Sequence, residues 1–168
     1  MEQLTHNDIE NEQQQFPITI VCDAIRTPEN IGMCFRISES FGVHKIYFHE
    51  NSPSIENRIV KKTARNTVGQ IQHASYSNFQ LLIERLKQEG NTIIGIEITD
   101  KSINIQDFNF KNRGKIALLL GSERNGIANI DLAEETVAIP MYGRNSSMNV
   151  IHSLAITLYE LTNQLAKK

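Results

Sequence analysis

Ile116-Ala-Leu-Leu-Leu-Gly-Ser-Glu-Arg-Asn-Gly126 is the stretch that decides the fold class. Its first five residues are uninterruptedly apolar and stop at Gly121. A strand with one face in water alternates polar and apolar residues, so a continuous run points to a central parallel strand covered on both faces. Strand and helix patterns alternate on either side of it. Ile18–Cys22 reads as a short buried strand, and Thr27-Pro28 offers an N-cap followed by proline at the first helical position. That helix runs to about Phe41 and Gly42 ends it. Lys45–His49 is the next strand and Gln70–Ala74 a weaker one. Asn78 caps a helix in which Phe79, Leu82, Ile83 and Leu86 recur at helical spacing, and Gly90-Asn91 breaks it. Strands follow at Thr92–Ile98 and at Thr136–Ile139, the latter stopped by Pro140. A last helix spans about Asn149 to Gln164, with Val150, Ile151, Leu154, Ala155, Leu158 and Leu161 forming a wide apolar face. Alternation of this kind predicts an α/β fold, a parallel sheet between helical layers. Ligands of such sheets bind at the carboxyl ends of the strands, here the loops after Cys22, Ile98, Leu120 and Ile139.

The chain has 168 residues, enough for one domain and its core without a disulfide or structural metal. We place that domain at 17–168 and a polar, mobile tail at 1–16. No apolar run approaches the length of a membrane span. The first fifteen residues lack the basic and apolar regions of a secretory signal. The two cysteines, Cys22 and Cys34, form no C-x-x-C pair and predict no metal site. The expectation is a cytoplasmic protein with no membrane contact. Net charge is −2, so no global basic excess advertises nucleic acid, but the charge is uneven. Residues 1–25 carry five acids and no Lys or Arg, whereas residues 26–65 carry seven bases against four acids. The second segment is either a solvated face or a local phosphate-binding surface.

Three of the four loops are unusual. In Arg26-Thr-Pro-Glu-Asn-Ile-Gly-Met-Cys-Phe-Arg36, Gly32 and Arg36 lie four apart and share a helix face. The glycine leaves a notch beside the guanidinium that either holds a ligand or lets the helix pack tightly. Gly121-Ser-Glu-Arg-Asn-Gly126 brackets polar residues between glycines directly after a buried strand. It is neither a P-loop nor G-x-G-x-x-G, so it presents backbone groups to a ligand without phosphates, or simply turns the chain. Ile139-Pro-Met-Tyr-Gly-Arg-Asn-Ser-Ser-Met-Asn-Val150 is a long polar loop leading into the last helix, which Ser147 or Asn149 can cap.

Taken together, the three segments resemble the SpoU/TrmH-type RNA 2′-O-ribose methyltransferases of the SPOUT superfamily. Asn30-Ile-Gly32 with Arg36 and Ser40-Phe-Gly42 is similar to the first family motif. Leu118-Leu-Leu-Gly-Ser-Glu123 with Gly126 is similar to the second. Ile139-Pro-Met141 with Ser147-Met-Asn-Val150 and Leu158-Tyr-Glu160 is similar to the third. Asn125 and His152 depart from the residues usual at their positions.

The resemblance implies a SPOUT fold whose C-terminal segment threads a deep trefoil knot, a feature rare among proteins. It implies S-adenosylmethionine as cofactor, with Gly121, Ile139 and Met148 at the motif positions that contact it and Ile98 beside the adenosine. It implies a homodimer joined through the last helix; the apolar face of residues 150–161 suits a partner or an ordinary core equally. The implied reaction is 2′-O-methylation of a ribose in structured RNA, tRNA first and rRNA otherwise. Arg36, Asn30, Glu123, Ser147 and Asn149 are the implied catalytic residues. Arg36 acts either as a base, transiently deprotonated, or as a clamp on a phosphate and the developing alkoxide. Asn30 and Asn149 orient Arg36 or the ribose, while Glu123 and Ser147 shape the loops. No metal is required. Lys61, Lys62 and Arg65 are candidates to track RNA phosphates. With no additional RNA-binding domain in view, recognition falls to the catalytic dimer or an auxiliary protein. The alternative is an RNA-binding or assembly protein on the same fold that transfers no methyl group.

Overall fold

A computed structural model describes residues 3, 4, 8 and 13–166. Most of the expected tail, 1–16, lies outside the described residues, and Phe16 belongs to the first strand.

Seven parallel strands form one sheet: β1 (Phe16–Cys22), β2 (Val43–His49), β3 (Gln72–Tyr76), β4 (Asn91–Ile96), β5 (Ile103–Asn104), β6 (Lys115–Leu120) and β7 (Glu135–Ala138). Four helices accompany them: α1 (Pro28–Ser40), α2 (Arg58–Ala64), α3 (Phe79–Gln88) and α4 (Val150–Ala166). The sheet order is β3-β2-β1-β6-β4-β7-β5, and every pairing is parallel. The chain steps outward from β1 through β2 to β3, then crosses over to β4. Strand β6 later inserts between β1 and β4, and β7 between β4 and β5.

The apolar run is the middle strand because both its faces are covered. Ile116, Leu118 and Leu120 join a core with Ile31, Cys34 and Phe35 of α1, Val60 and Ala64 of α2, and Ile151, Leu154, Leu158 and Leu161 of α4. Ala117 and Leu119 point the other way, onto Phe79, Leu82, Ile83 and Leu86 of α3. The result is the expected α/β/α layering. The inward stripe of α4 is spent on this core, which takes most of the apolar face that suited a partner. What remains outward is His152, Ile156 and Tyr159, spaced four and three apart on one side of the helix.

One expectation needs correction, and one alternative left open is decided. The third strand runs Gln72–Tyr76 rather than Gln70–Ala74, since Thr67–Gly69 forms a 3-10 turn and Gln70 closes it. The shift lets the buried Tyr76 hydroxyl donate to the Cys22 carbonyl at 2.9 Å. The notch at Gly32 holds no ligand. A Cβ there would stand 2.7 Å from the Val60 carbonyl oxygen and the Thr63 Cβ, and 2.9 Å from the Ala64 nitrogen. The glycine exists so that α1 and α2 can touch backbone to backbone. Cys22 and Cys34 are free, buried thiols with their sulfur atoms 3.8 Å apart.

Gly32→Ala separates the two effects of a helical glycine. Propensity alone would stabilise α1 by about 1 kcal/mol. Overlap with α2 backbone dominates, so urea unfolding should show a net loss of about 1–3 kcal/mol. A stabilised variant would contradict the close helix crossing.

Candidate functional site

The carboxyl ends of β4, β6 and β7 open into a pocket of about 400 Å³. Three segments line it: Ile96–Ile98, the turn from Leu120 through Gly126, and the stretch from Val137 to Ser153. Ile98, Gly121, Ile139 and Met148 all lie on its wall, as do Glu123, Ser147 and Asn149.

Glycine shapes the floor. Ser122 and Gly126 pair across the turn after β6, the Ser122 N–H donating to the Gly126 carbonyl at 3.0 Å. A Cβ on Gly121 would fall 2.3 Å from the Gly126 carbonyl carbon. Gly126 has φ +62° and gives room to the Glu97 carboxylate, which would lie 2.4 Å from a Cβ. Glu97 accepts from the Ile98 N–H at 3.0 Å and the Ile127 N–H at 3.4 Å, tying the loop after β4 to the loop after β6.

Glu123 is the anchor. Its carboxylate accepts the Arg26 N–H at 3.1 Å, the Thr27 N–H at 3.0 Å and the Asn30 side-chain amide at 2.8 Å. Thr27 is the N-cap residue and proline follows it, as expected, but the Thr27 side chain makes no capping hydrogen bond. A carboxylate 96 residues away satisfies the helix entrance instead, where an anion is also favoured by the helix dipole. Asn30 passes the connection on: its Oδ1 accepts from the Asn149 amide at 3.2 Å. Asn149 in turn caps α4, its Oδ1 accepting the Ile151 N–H at 2.8 Å. Asp23 adds a parallel tie, accepting the Ala128 N–H at 2.8 Å.

Desolvation raises the Glu123 pKa, but hydrogen bonds from Arg26, Thr27 and Asn30 outweigh it and hold the carboxyl at about 2. It is therefore an anion at neutral pH and a poor proton acceptor. Arg36 stands apart. It is half-buried on α1 and does not line the pocket. Six residues beyond Asn30, it lies about 9 Å further along the helix and about 120° around it. It shares its side of α1 with Gly32, which faces α2. Among the described residues its guanidinium makes no hydrogen bond or ion pair, so neither Asn30 nor Asn149 holds it. Lys61 pairs with Glu56, while Lys62 and Arg65 are exposed. Sequence reasoning missed Glu97, Asp23 and the whole of α2.

The Glu123 anchor should weaken in acid. Its folded pKa lies below the ordinary carboxyl value near 4.5, so the stabilisation is present above that pH and is lost as the pH falls toward about 2. Thermal melts of the wild type and Glu123→Gln should differ most at neutral pH and converge between about pH 4.5 and 2. A gap independent of pH would overturn the assignment.

A model of the SpoU rRNA Methylase family matches residues 17–159. The 23S rRNA (guanosine-2′-O-)-methyltransferase RlmB of Ralstonia nicotianae is 26% identical over 151 residues, covering 88% of this chain and 59% of that protein. The chain spans about three-fifths of the length of the RlmB relatives it matches. The A. aeolicus TrmH/SpoU tRNA modifying enzyme superposes with a TM-score of 0.82 at 21% identity, over 93% of this chain and 79% of that one. An AdoMet-bound rRNA methyltransferase from Sinorhizobium meliloti gives 0.81 at 22% identity, over 92% of this chain and 59% of that one. These two likenesses establish a shared fold. The sequence match runs from the second residue of β1 well into α4 and takes in every loop of the pocket, so the chain belongs to the SpoU rRNA methylase family.

Proposed function

We propose that this protein transfers a methyl group from S-adenosylmethionine to a ribose 2′-oxygen of structured RNA, tRNA or rRNA. The observation that carries the reading is the relay Glu123–Asn30–Asn149, which joins three loops beside a nucleoside-sized pocket. The named relatives support it: RlmB acts on 23S rRNA, the S. meliloti protein is seen with AdoMet, and the A. aeolicus protein modifies tRNA.

The pocket suits the cofactor chemically. Ile96, Leu120, Val137, Ile139 and Met148 supply an apolar wall for an adenine. Its titratable lining is Glu97, Glu123 and Arg124, two acids to one base. That balance favours a cationic sulfonium nucleoside over a phosphorylated one. In this proposal Ile98, Gly121, Ile139 and Met148 hold the cofactor. S-adenosylmethionine supplies, when bound, an electrophilic methyl on sulfur and needs no metal.

The chain's own contribution is positional. Asn30, Glu123 and Asn149 fix the loops, Ser147 leaves a hydroxyl at the pocket wall, and preorganised alignment lowers the barrier. Glu123 is too acidic to take the hydroxyl proton, and an arginine is protonated under ordinary conditions. We therefore assign Arg36 to the clamp: its unpaired guanidinium takes a substrate phosphate beyond the pocket and so helps to place the ribose. The proton leaves to water.

The same reading includes residues 17–168 as one domain, the trefoil knot, a cytoplasmic setting and a homodimer. The outward stripe of α4, with Tyr159 63% exposed beside Ile156, supports the homodimer. No helix of the described residues is long and apolar enough to cross a membrane. An auxiliary protein for substrate recognition also belongs to the proposal.

Labelled methyl from S-adenosylmethionine should enter either unmodified total tRNA or rRNA, and the labelled site should resist alkaline cleavage. Arg36→Ala should retain cofactor affinity and abolish transfer. No incorporation into either RNA, with the cofactor still bound, would favour the binding-protein reading; full activity in Arg36→Ala would remove the clamp. Tyr159→Glu should shift the sedimentation coefficient from dimer to monomer, and a wild-type monomer would dispose of the homodimer.

A further inference from the structure

The loop between β7 and α4 has an exposed tip. Tyr142 is 92% exposed, the most exposed of the large apolar side chains in the described chain. Beside it, no atom lies within 4 Å of where a Gly143 Cβ would stand. Arg144, Asn145 and Ser146 are exposed as well. Yet the residues that flank the tip, Met141 and Ser147, line the pocket. The tip therefore belongs to a loop whose two ends form the pocket wall, and its aromatic ring is open to solvent.

Two arginines flank this loop. Arg124, from the turn after β6, is exposed on the pocket wall. Neither Arg124 nor Arg144 makes an ion pair among the described residues. The nearest carboxylate in sequence, Glu123, is already saturated by three donors. Arg144 stands two residues from Tyr142, and Arg124 lines the same pocket as Met141 and Ser147; guanidinium groups and an exposed aromatic face are the groups that take phosphates and a flat base.

We infer that Tyr142 is the base-stacking residue of the RNA site: its ring packs on an unpaired base next to the ribose being methylated, while Arg124 and Arg144 take the adjoining phosphates. The inference rests on the RNA reading above and narrows it to single-stranded or looped RNA. Bases inside a duplex already have both faces stacked, so an exposed tyrosine finds no partner there. Stacking tolerates any base, so Tyr142 secures the strand and leaves sequence choice to other groups.

Fluorescence anisotropy of a mixed-sequence single-stranded RNA, and of a duplex of the same length, tests this without methyl transfer. Tyr142→Ala should weaken single-strand binding by about 5- to 150-fold, equivalent to about 1–3 kcal/mol for a stacked base. Duplex binding should stay within about twofold, because it draws on phosphate contacts alone. Tyr142→Phe keeps the ring and should bind the single strand like the wild type. Unaltered single-strand binding in Tyr142→Ala would overturn the inference. So would an equal loss on the duplex, or a changed sedimentation coefficient that places Tyr142 in an interface. If single-strand binding falls as expected but the wild type transfers no methyl group to tRNA or rRNA, stacking stands and the methyltransferase reading fails.

Discussion

One carboxylate organises the pocket end of the molecule. The entrance of α1 presents N–H groups that have no partner within the helix, and Thr27 supplies no side-chain acceptor for them. Glu123 reaches across from the turn after β6 and takes the N–H groups of Arg26 and Thr27, at the approach to the helix, together with the Asn30 side-chain amide. Because Asn30 is held through its nitrogen, its oxygen faces Asn149, and Asn149 is left with an oxygen for the first turn of α4. A single relay thus sets the starts of two helices and the position of the loop between them. Each bond is modest in isolation, but a chain of them, partly shielded from water and headed by a full charge, resists piecemeal loss.

The relay explains why the site is arranged for alignment rather than for proton transfer. Glu123 has been made a stronger acid by the donors it holds, which removes it as a base. The remaining pocket carboxylate, Glu97, spends its oxygens on the Ile98 and Ile127 N–H groups. Both acids serve the loops first. What the pocket then offers a ligand is shape, an apolar wall and a negative bias. Methyl transfer from a sulfonium makes few further demands, since the leaving sulfur becomes neutral as the bond breaks. A protein that supplies geometry and little acid–base chemistry is consistent with the proposed reaction.

Much of this could be read from residues near one another in the chain. The run at 116–120 gave the buried strand, and the loops after it and after Ile139 supplied the pocket wall at the expected places. Contacts across long sequence separations were not legible. Nothing near Thr27 says that its N–H will be taken by residue 123. Helix α2 escaped notice because its seven residues bury only Val60 and Ala64, too few to mark a period. Missing α2 also left the reading of Gly32 open. An absent Cβ makes room equally well for a ligand or for another backbone, and only the presence of α2 decides between them. The two residues of β5 are likewise too short to announce a strand, although they extend the sheet beside β7. Cys22 and Cys34 meet for the same reason: a strand end and a helix are brought together by the packing, at a spacing no motif describes.

The molecule also separates charge that its composition averages away. A net −2 conceals a pocket lined by two acids and an arginine, with a further arginine on the loop before α4. In the proposed reaction the two ligands have opposite signs, a cationic cofactor inside and polyanionic RNA outside. Uniform positive charge would draw RNA but oppose the sulfonium, and uniform negative charge would do the reverse. Arg36 fits the same division. It is unpaired on the flank of α1, beyond the relay, where a positive charge does not bear directly on the cofactor pocket. A guanidinium without a protein partner retains its donors for a phosphate, and a carboxylate saturated by backbone N–H groups does not compete for it. The donors that Glu123 holds tie the loops, and the arginines outside the relay keep theirs.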